Sequence, residues 1–259
     1  MCILAIQYKL VSDTPILVAA NREEAYDRPC LAPSIQSGKP RVLCGTDQKA
    51  GGTWLGVNQH GLIVAACNRP KLLPPLRPRS RGVLCRDLLR SGSARRAVDT
   101  ALDELSSGNY EGVNYVIADA ESGWVVHGGD DFEAVKLAEG LSIIANGDVN
   151  DMHDERVKLA HRLLTLQTLD SPVKFLAVAS KVFARPASAP GRAGMVIRDR
   201  ERGTVSSTLL ALGRKPRDAI YQYTDGPPDK TKYEDYSPLL RDILSRGLRE
   251  ARTKAKARA

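Results

Sequence analysis

The sequence predicts an α+β fold in which two mainly antiparallel sheets are stacked and covered by helices. Apolar runs of strand length are joined by short turn segments, which is typical of hairpins and therefore of antiparallel pairing. Helical patterns occur in blocks between groups of strands, which argues against a doubly wound parallel sheet. Residues 16–20 and 62–67 are apolar throughout, as in strands that are covered on both faces.

The N-terminal part of the chain is predicted to form two hairpins. Turn residues separate the strand-like runs, Val-Ser-Asp-Thr-Pro in the first hairpin and Asn-Gln-His-Gly in the second. The second strand of each hairpin ends in polar residues, at 21–24 and 68–69. A looser stretch that contains prolines separates the hairpins. The four predicted strands are 2–9, 16–20, 53–58 and 61–67.

The rest of the chain combines helical and strand patterns. Prolines between residues 70 and 80 predict a surface loop. Helical periodicity marks 83–89, 94–105, 151–166, 173–184 and 238–251. Strand patterns mark 113–118, 124–127, 141–145, 196–198, 206–212 and 219–223. We therefore expect one domain at 1–236, followed by an amphipathic helix and a basic tail at 237–259.

Composition places the chain among ordinary globular proteins. Hydrophobic residues make up 42% and charged residues 26%, which argues against a disordered or fibrous protein. No apolar run approaches the ~18 residues of a membrane-spanning helix. The N-terminus lacks the basic segment of a signal peptide, and the five cysteines form no C-x-x-C pair. We therefore expect a cytoplasmic protein with free thiols and no transmembrane segment.

The net charge of +8 is concentrated in two basic segments, 69–96 and 241–259. Such segments attract anions or nucleic acid, or simply solvate the surface. Aromatic residues make up only 5% and no nucleic-acid-binding motif occurs, which argues against a nucleic-acid partner. The histidines are scattered, and the sequence contains no phosphate loop, dinucleotide fingerprint or H-E-x-x-H motif. We therefore expect neither a metal nor a cofactor.

Cys2 directly follows the initiator methionine. Because its side chain is small, we expect methionine aminopeptidase to remove Met1 and leave Cys2 as the first residue. Its α-amine then has a pKa of about 7.7–8 and can act as a general base. Its thiol becomes a nucleophile on deprotonation. One residue therefore carries both groups that acyl transfer needs, although small residues are also common at position 2 without any catalytic role.

Three polar residues at predicted strand ends join Cys2 as candidate catalytic residues. Arg22 follows the strand that pairs with the strand of Cys2, and an Arg–thiolate contact at ~4 Å is worth of order 4 kcal/mol before desolvation. Asn68 ends another strand, where its amide N–H can donate to an oxyanion. Asn146 ends a third strand, where it can hold a substrate amide. Each asparagine taken singly also fits an ordinary turn residue.

Several segments of the sequence resemble the NRDE family, also called the transport and Golgi organisation protein 2 family. They are Met-Cys at 1–2, Asn-Arg-Glu-Glu at 21–24, Gly-Gly-Thr-Trp-Leu-Gly at 51–56 and the hairpin that continues to Cys67-Asn68. That hairpin is also similar to choloylglycine hydrolases and penicillin V acylases, which are N-terminal nucleophile (Ntn) hydrolases. The similarity continues through Ile-Ala-Asn at 144–146 and Ser-Ser-Thr-Leu-Leu at 206–210.

The resemblance implies a four-layer α-β-β-α sandwich and cleavage or transfer at a linear amide C–N bond of a small molecule. Cys2 is then the nucleophile, Arg22 lies beside its thiol and Asn68 is the oxyanion residue. Asn146 is implied on the substrate side. We expect Trp54 to cover an acyl or ring group at the mouth of the site. The further residues expected to bind substrate are Asn21, Thr53 and Ser207.

Two departures from the family pattern keep a second function open. Glu23 stands where the family has aspartate, whose carboxylate lies near the amine of the nucleophile, and we include Glu23 among the catalytic candidates. Val205 stands where many members carry arginine before Ser-Ser-Thr. Both departures favour a ligand-handling protein, a carrier of haem or acyl-CoA that has kept the fold but not the chemistry.

Overall fold

The structure of this chain is a computed structural model that describes residues 2–257. The predicted removal of Met1 and the last two residues of the basic tail lie outside the described residues. The strands are β1 Ile3–Tyr8, β2 Ile16–Ala25, β3 Cys30–Gln36, β4 Val42–Asp47, β5 Leu55–Asn58, β6 Ile63–Asn68, β7 Val113–Ala118, β8 Gly123–Gly128, β9 Phe132–Lys136, β10 Gly140–Ile144, β11 Arg202–Leu212, β12 Ile220–Asp225 and β13 Glu234–Asp235. The helices are α1 Arg81–Leu88, α2 Ala94–Ser106, α3 Glu155–Leu164, α4 Pro172–Phe183 and α5 Ser237–Lys256.

The strands form two antiparallel sheets. The first sheet has the order β10-β1-β2-β11-β12-β13, and the second has the order β3-β4-β5-β6-β7-β8-β9. In the first sheet β1 and β2 are the predicted N-terminal hairpin, with Ile3 opposite Asn21. The long strand β11 returns from the C-terminal half to pair with β2, with Ser206 opposite Arg22.

Alternate residues of these strands enter different layers. In β1, Leu4 and Ile6 lie in a core between the two sheets, whereas Ile3 and Ala5 pack in a second cluster against α3 and α4. A third cluster, which includes Val64, packs the outer face of the second sheet against α1 and α2. The order of layers is therefore α-β-β-α, which confirms the predicted fold class.

Helix α5 covers one side of the sandwich. Its residues Leu240 and Ile243 are fully buried in the core between the sheets, and the helix contacts β3, β4, β5 and β12. Whether the chain divides into a domain at 1–236 and a separate segment at 237–259 stays a prediction. Within residues 2–257, no helix is long and apolar enough to cross a bilayer.

The structure differs from the expected elements in three places. Strand β2 continues to Ala25 because its ladder with β11 continues, so the polar cluster at 21–24 lies inside a strand. Strands β3, β4, β9 and β13 were not expected. Strand β3 contains Pro33 at a register shift, and β9 has almost no buried residue, so neither shows a clear strand pattern. The predicted strand at 196–198 forms isolated bridges instead.

Candidate functional site

Cys2 lies immediately before β1, and the two ladders of β1 determine its neighbours. Ile3 pairs with Asn21 of β2, so one further step places Cys2 beside Arg22. Leu4 pairs with Ile144 of β10, so two further steps along that ladder point to Asn146. The first sheet therefore brings the thiol of Cys2 and the guanidinium of Arg22 side by side. The paired part of β10 ends at Ile144, and Asn146 lines neither of the two cavities that border Cys2.

The side chain of Arg22 faces the core between the sheets, on the same side as Cys2. It is 6% exposed, and its Cζ atom lies 4.1 Å from the centre of the Trp54 ring, which belongs to the opposite sheet. Among the described residues, its Nη1 is buried without a hydrogen-bond partner. The stacked guanidinium thus keeps a buried donor that no side chain or backbone group of the described residues uses.

Most of the sequence-predicted residues meet at one cleft of about 410 Å³. The predicted residues that line it are Cys2, Arg22, Glu23, Thr53, Trp54 and Asn68. A smaller cavity of about 20 Å³ lies between the sheets and is also bordered by Cys2, Arg22 and Trp54. That volume holds about one water molecule, so a substrate has room in the cleft and not in the cavity.

The environment of Cys2 favours a protonated thiol. Burial raises the pKa of the Cys2 thiol, and the carboxylate of Glu23 raises it further, while Arg22 opposes both effects. Cys67 borders the same small cavity, and burial raises the pKa of its thiol well above the ordinary value. A thiolate at Cys2 therefore needs a base to form near neutral pH.

Glu23 is held from the helix side of β2. Arg156 of α3 donates to both of its carboxylate oxygens, with 3.1 Å between Nη1 and Oε2, and the same guanidinium reaches the carbonyl oxygens of Gly194 and Met195. Glu23 is 3% exposed, and burial raises the pKa of its carboxyl while Arg156 lowers it. The ion pair fixes Glu23 at the boundary between the cleft and the helix layer.

The segment that carries Thr53 and Trp54 is fixed against α1. A Cβ atom on Gly52 would lie 2.1 Å from the carbonyl carbon of Gly82, so glycine allows the two backbones to touch. The N–H of Thr53 donates to the carbonyl oxygen of Gly82 at 2.9 Å, and its hydroxyl donates to that of Leu55 at 3.1 Å. This anchoring keeps the indole of Trp54 over Arg22.

Two of the expected substrate-binding side chains face the helix layer. Asn21 donates from Nδ2 to the carbonyl oxygens of Phe183 at 2.9 Å and Met195 at 3.0 Å. The hydroxyl of Ser207 donates to the carbonyl oxygen of Ala20 at 3.1 Å and lies 2.8 Å from the Tyr233 hydroxyl. The structure does not bring these two polar groups into the cleft, although Asn21 borders the small cavity.

Ser206 of β11 and Tyr223 of β12 lie instead on the inner face, toward the core between the sheets. Sequence reasoning identified neither residue as part of the site. Ser206 borders the small cavity opposite Arg22, and burial raises the pKa of the Tyr223 phenol. Neither hydroxyl has a hydrogen-bond partner among the described residues. A register shift between Thr204 and Ser206 sets this arrangement and leaves Val205 at a bulge.

A second set of missed residues holds the backbone around Asn146. Asn114, buried in β7, donates from Nδ2 to the carbonyl oxygens of Ala145 at 3.1 Å and Gly147 at 2.8 Å, on either side of Asn146. Its Oδ1 therefore faces His127, whose Nδ1–H donates to it at 2.8 Å. The Oδ1 of Asn146 itself is buried without a partner among residues 2–257.

Arg69 extends this network to the strand of Asn68. Its Nη2 lies 2.7 Å from the Asp148 carboxylate, and its Nη1 lies 3.4 Å from both Asn114 and His127. The two segments that carry Asn68 and Asn146 are therefore linked by one polar network. The available sequence signal was one polar residue in each of two apolar runs, near the start of 113–118 and at the end of 124–127.

Candidate metal ligands do not cluster in the part of the chain that the structure describes. Among residues 2–257, no group of three or more histidine, cysteine or acidic side chains is arranged to hold a metal ion. The five cysteines are free thiols.

Comparison with solved structures identifies the fold. An N-acylethanolamine-hydrolyzing acid amidase ortholog from Caenorhabditis elegans is 15% identical, with a TM-score of 0.53 over 81% of this chain and 92% of that chain. Penicillin V acylase from Agrobacterium tumefaciens is 12% identical, with a TM-score of 0.52 over 93% and 88%. A conjugated bile acid hydrolase variant from Clostridium perfringens is 11% identical, with a TM-score of 0.50 over 92% and 93%. The fold is thus that of the Ntn hydrolases.

Sequence comparison identifies the family. The Bos taurus Transport and Golgi organization protein 2 homolog is 33% identical over 147 residues, which are 51% of this chain and 50% of that protein. The Homo sapiens homolog is 32% identical over 115 residues, 40% of this chain and 38% of that protein. The match therefore spans half or less of these curated relatives. Residues 1–179 match the family model "Transport and Golgi organisation 2", and the chain belongs to this family.

Proposed function

We propose that the mature chain is an N-terminal cysteine amidohydrolase or acyltransferase that acts on a linear amide C–N bond of a small molecule. The observation that carries this proposal is the unused Nη1 donor of Arg22, which is buried on the inner face beside Cys2. A buried cation with an unused donor is costly for folding. Its presence is explained if an anion forms next to it during the reaction.

The raised pKa of the Cys2 thiol defines the first step, since a base must remove its proton. After loss of Met1, the α-amine of Cys2 takes that proton, and the thiolate attacks the carbonyl carbon of the amide. The C–N bond then breaks as the α-ammonium returns the proton to the leaving amine. Water releases the acyl group from the resulting thioester, or an acceptor amine or alcohol does so in the transferase reaction.

The surrounding residues have complementary roles in this proposal. The amide N–H of Asn68 donates to the oxyanion. Asn146 keeps the substrate-side role that the family resemblance implies, and its buried Oδ1 has to become accessible from the cleft to accept the N–H of the substrate amide. Glu23, held by Arg156, compensates the charge of the α-ammonium. Trp54 and Thr53 line the cleft in which the substrate binds. The steps use the side chains and the amine of this chain, without a metal or cofactor.

Two further observations support the proposal. The cleft of about 410 Å³ falls within the range of about 300–1,000 Å³ that is usual for small-molecule sites. The structural neighbours are by name an acid amidase, an acylase and a bile acid hydrolase, which fits an amide substrate. We also propose a cytoplasmic location, because free cysteines suit a reducing compartment.

The test combines the intact mass of the purified protein with single-turnover acylation. The substrates are fluorogenic N-acyl aminocoumarins of graded acyl length. We expect a mass without Met1, an acyl adduct at Cys2, and turnover that falls to background in Cys2→Ala. The matched control is Cys30→Ala, because Cys30 is similarly half-buried but does not line the cleft. Active protein that retains Met1, or turnover in Cys2→Ala equal to wild type, would refute the proposal.

The same samples distinguish the carrier function. Titration with haem and with an acyl-CoA is repeated on wild type and Cys2→Ala. Tight binding that ignores the Cys2 substitution, together with no product from any amide, favours the carrier over the enzyme.

A further inference from the structure

The loop between β6 and α1 holds three leucines away from the protein. We call residues 70–80 the leucine loop. Leu72, Leu73 and Leu76 have exposed fractions of 87%, 83% and 102%, whereas the next most exposed large apolar side chain among the described residues, Leu166, reaches 73%. Contiguous exposed apolar side chains are rare on monomers and mark interaction surfaces.

The leucine loop is anchored in this exposed conformation. The carboxylate of Asp130 accepts hydrogen bonds from the backbone N–H groups of Leu72 at 3.1 Å and Leu73 at 3.3 Å. At the other end of the loop, the N–H of Arg79 donates to the carbonyl oxygen of Asn109 at 2.8 Å. The prolines of the loop further restrict its backbone. The leucines therefore cannot fold back onto the core without breaking these contacts.

Two cations accompany the leucines. Lys71 donates to the carbonyl oxygen of Tyr110, and neither Lys71 nor Arg77 has a carboxylate within 4.0 Å among the described residues. The basic residues at the base of the loop are paired with acids. These pairs are Arg69–Asp148, Arg79–Glu104 and Arg81–Glu111. The tip of the loop thus combines exposed leucines with two cations that form no ion pair within residues 2–257, and the only carboxylate that the described part of the structure places on these leucines is Asp130, which accepts from the backbone.

Exposed leucines beside a lysine and an arginine match the surface of a bilayer that contains anionic lipids. Apolar side chains enter the boundary between headgroups and acyl chains, while neighbouring lysine and arginine side chains contact anionic headgroups. A stable protein partner usually needs about 800 Å² on each side, which is large for one short, convex loop. Shape and charge therefore both favour insertion into a bilayer.

We propose that the leucine loop docks the chain on the surface of a bilayer that contains anionic phospholipids. The end of the loop, at Pro78, Arg79 and Ser80, also lines the cleft that contains Cys2. Docking therefore places the mouth of that cleft beside the membrane. The proposal that the leucine loop docks on a membrane does not depend on the chemistry proposed at Cys2.

The experiment is flotation of the full chain with two kinds of vesicle, phosphatidylcholine alone and phosphatidylcholine with about one third phosphatidylglycerol. We expect wild type to float with the anionic vesicles, and the bound-to-free ratio to fall at least about tenfold in Leu72→Ser/Leu73→Ser/Leu76→Ser. The control Leu166→Ser/Val173→Ser removes two other exposed apolar side chains and should float like wild type. Arg77→Gln should reduce both the preference for anionic vesicles and its sensitivity to salt.

Thermal unfolding of each variant verifies that it is folded, and Leu76→Ser alone serves if the triple variant is not. The docking surface is refuted if wild type floats with neither vesicle, or if the loop variant floats as well as wild type. It is equally refuted if sedimentation velocity shows a dimer that the loop substitutions abolish while vesicles bind nothing.

Discussion

The two faces of strands β2 and β11 carry similar polar residues, but they differ in how far these residues have hydrogen-bond or ion-pair partners. On the face toward α3 and α4, the Asn21 amide donates to two carbonyl oxygens, Glu23 is paired with Arg156, and Ser207 bonds to Ala20 and Tyr233, although the Oδ1 of Asn21 has no partner. On the inner face, Arg22 and Ser206 each keep a buried polar atom without a partner among residues 2–257.

This difference distinguishes polar side chains that stabilise the fold from polar side chains that serve a function, although both kinds lie on the same two strands. A buried polar group without a partner costs about 1–3 kcal/mol, so apolar residues at the inner positions would give a more stable fold. Each polar side chain on the outer face makes at least one hydrogen bond or ion pair, and its removal breaks that contact. We therefore expect inner substitutions to change activity and outer substitutions to change stability, with Glu23 affecting both because it also lines the cleft.

Arg22→Met is the strongest test of this comparison. Methionine keeps the apolar packing against Trp54 but removes the cation beside Cys2. We expect kcat/KM for amide cleavage to fall about 10²–10³-fold, as on loss of an oxyanion-stabilising donor. The free energy of unfolding in urea should stay the same or increase. Unchanged activity, or a large loss of stability, would contradict the functional interpretation of the inner face.

Arg156→Met is the matching test on the outer face. It removes the guanidinium that donates to both carboxylate oxygens of Glu23, and breaking a buried ion pair costs about 3–5 kcal/mol. We expect a loss near the lower end of that range in urea unfolding, because Arg156 is partly exposed. Adding Glu23→Gln should recover part of the loss through coupling between the two sites. A loss below about 0.5 kcal/mol would show that the pair is not structural.

The adjacent serines of β11 provide a smaller and more closely matched comparison. We expect Ser206→Ala to lower kcat/KM about tenfold with little change in stability, because its hydroxyl faces the small cavity. We expect Ser207→Ala to cost about 1 kcal/mol of stability, because it breaks the contacts to Ala20 and Tyr233. A larger loss of activity in Ser207→Ala than in Ser206→Ala would support the sequence-based prediction that Ser207 binds substrate.

The choice between these serines shows where sequence reasoning ends. Turn residues act locally, so the hairpins of β1–β2 and β5–β6 could be predicted from single stretches. Strands that are apolar throughout predicted two covered sheets, and the family resemblance implied the four-layer order. The face on which a side chain lies could not, because β2 and β11 are buried on both faces and their alternation carries no signal. The bulge at Val205 shifts the register further, and only the paired strand shows it.

The same limit applied to the candidate site. Cys2 was found from its place after the initiator methionine and Asn68 from a strand end, whereas Arg22 was expected at a strand end and lies inside β2. All three nevertheless line the cleft. Asn114 and His127 lie inside β7 and β8, more than 100 residues from Cys2, and their contacts depend on pairing across the second sheet. The sequence showed Asn114 and His127 as polar residues in two apolar runs, but it did not show that they contact the loop of Asn146.

His127 gives the smallest predicted effect and tests whether a satisfied polar group on the inner side behaves structurally. Burial lowers the pKa of His127 below its ordinary value of about 6.5, and Arg69 lowers it further. Below about pH 6.5 the unfolded chain therefore binds a proton that the folded protein does not. The stability contributed by neutral His127 is complete above that pH and is lost as the pH falls toward the lowered pKa.

We therefore expect His127→Gln to flatten the decrease in unfolding free energy between about pH 7 and pH 5, measured in urea. The matched control is His153→Gln, because His153 is exposed and its side chain has no part in the network around Asn146. Asn114 positions Asn146 through backbone contacts, so loss of the histidine should loosen that loop without removing a reacting group. If His127→Gln and His153→Gln change the pH dependence of stability equally, the network of His127 and Asn114 does not hold the loop of Asn146. The rule that paired polar groups serve stability and unpaired ones serve activity would then not extend to the second sheet.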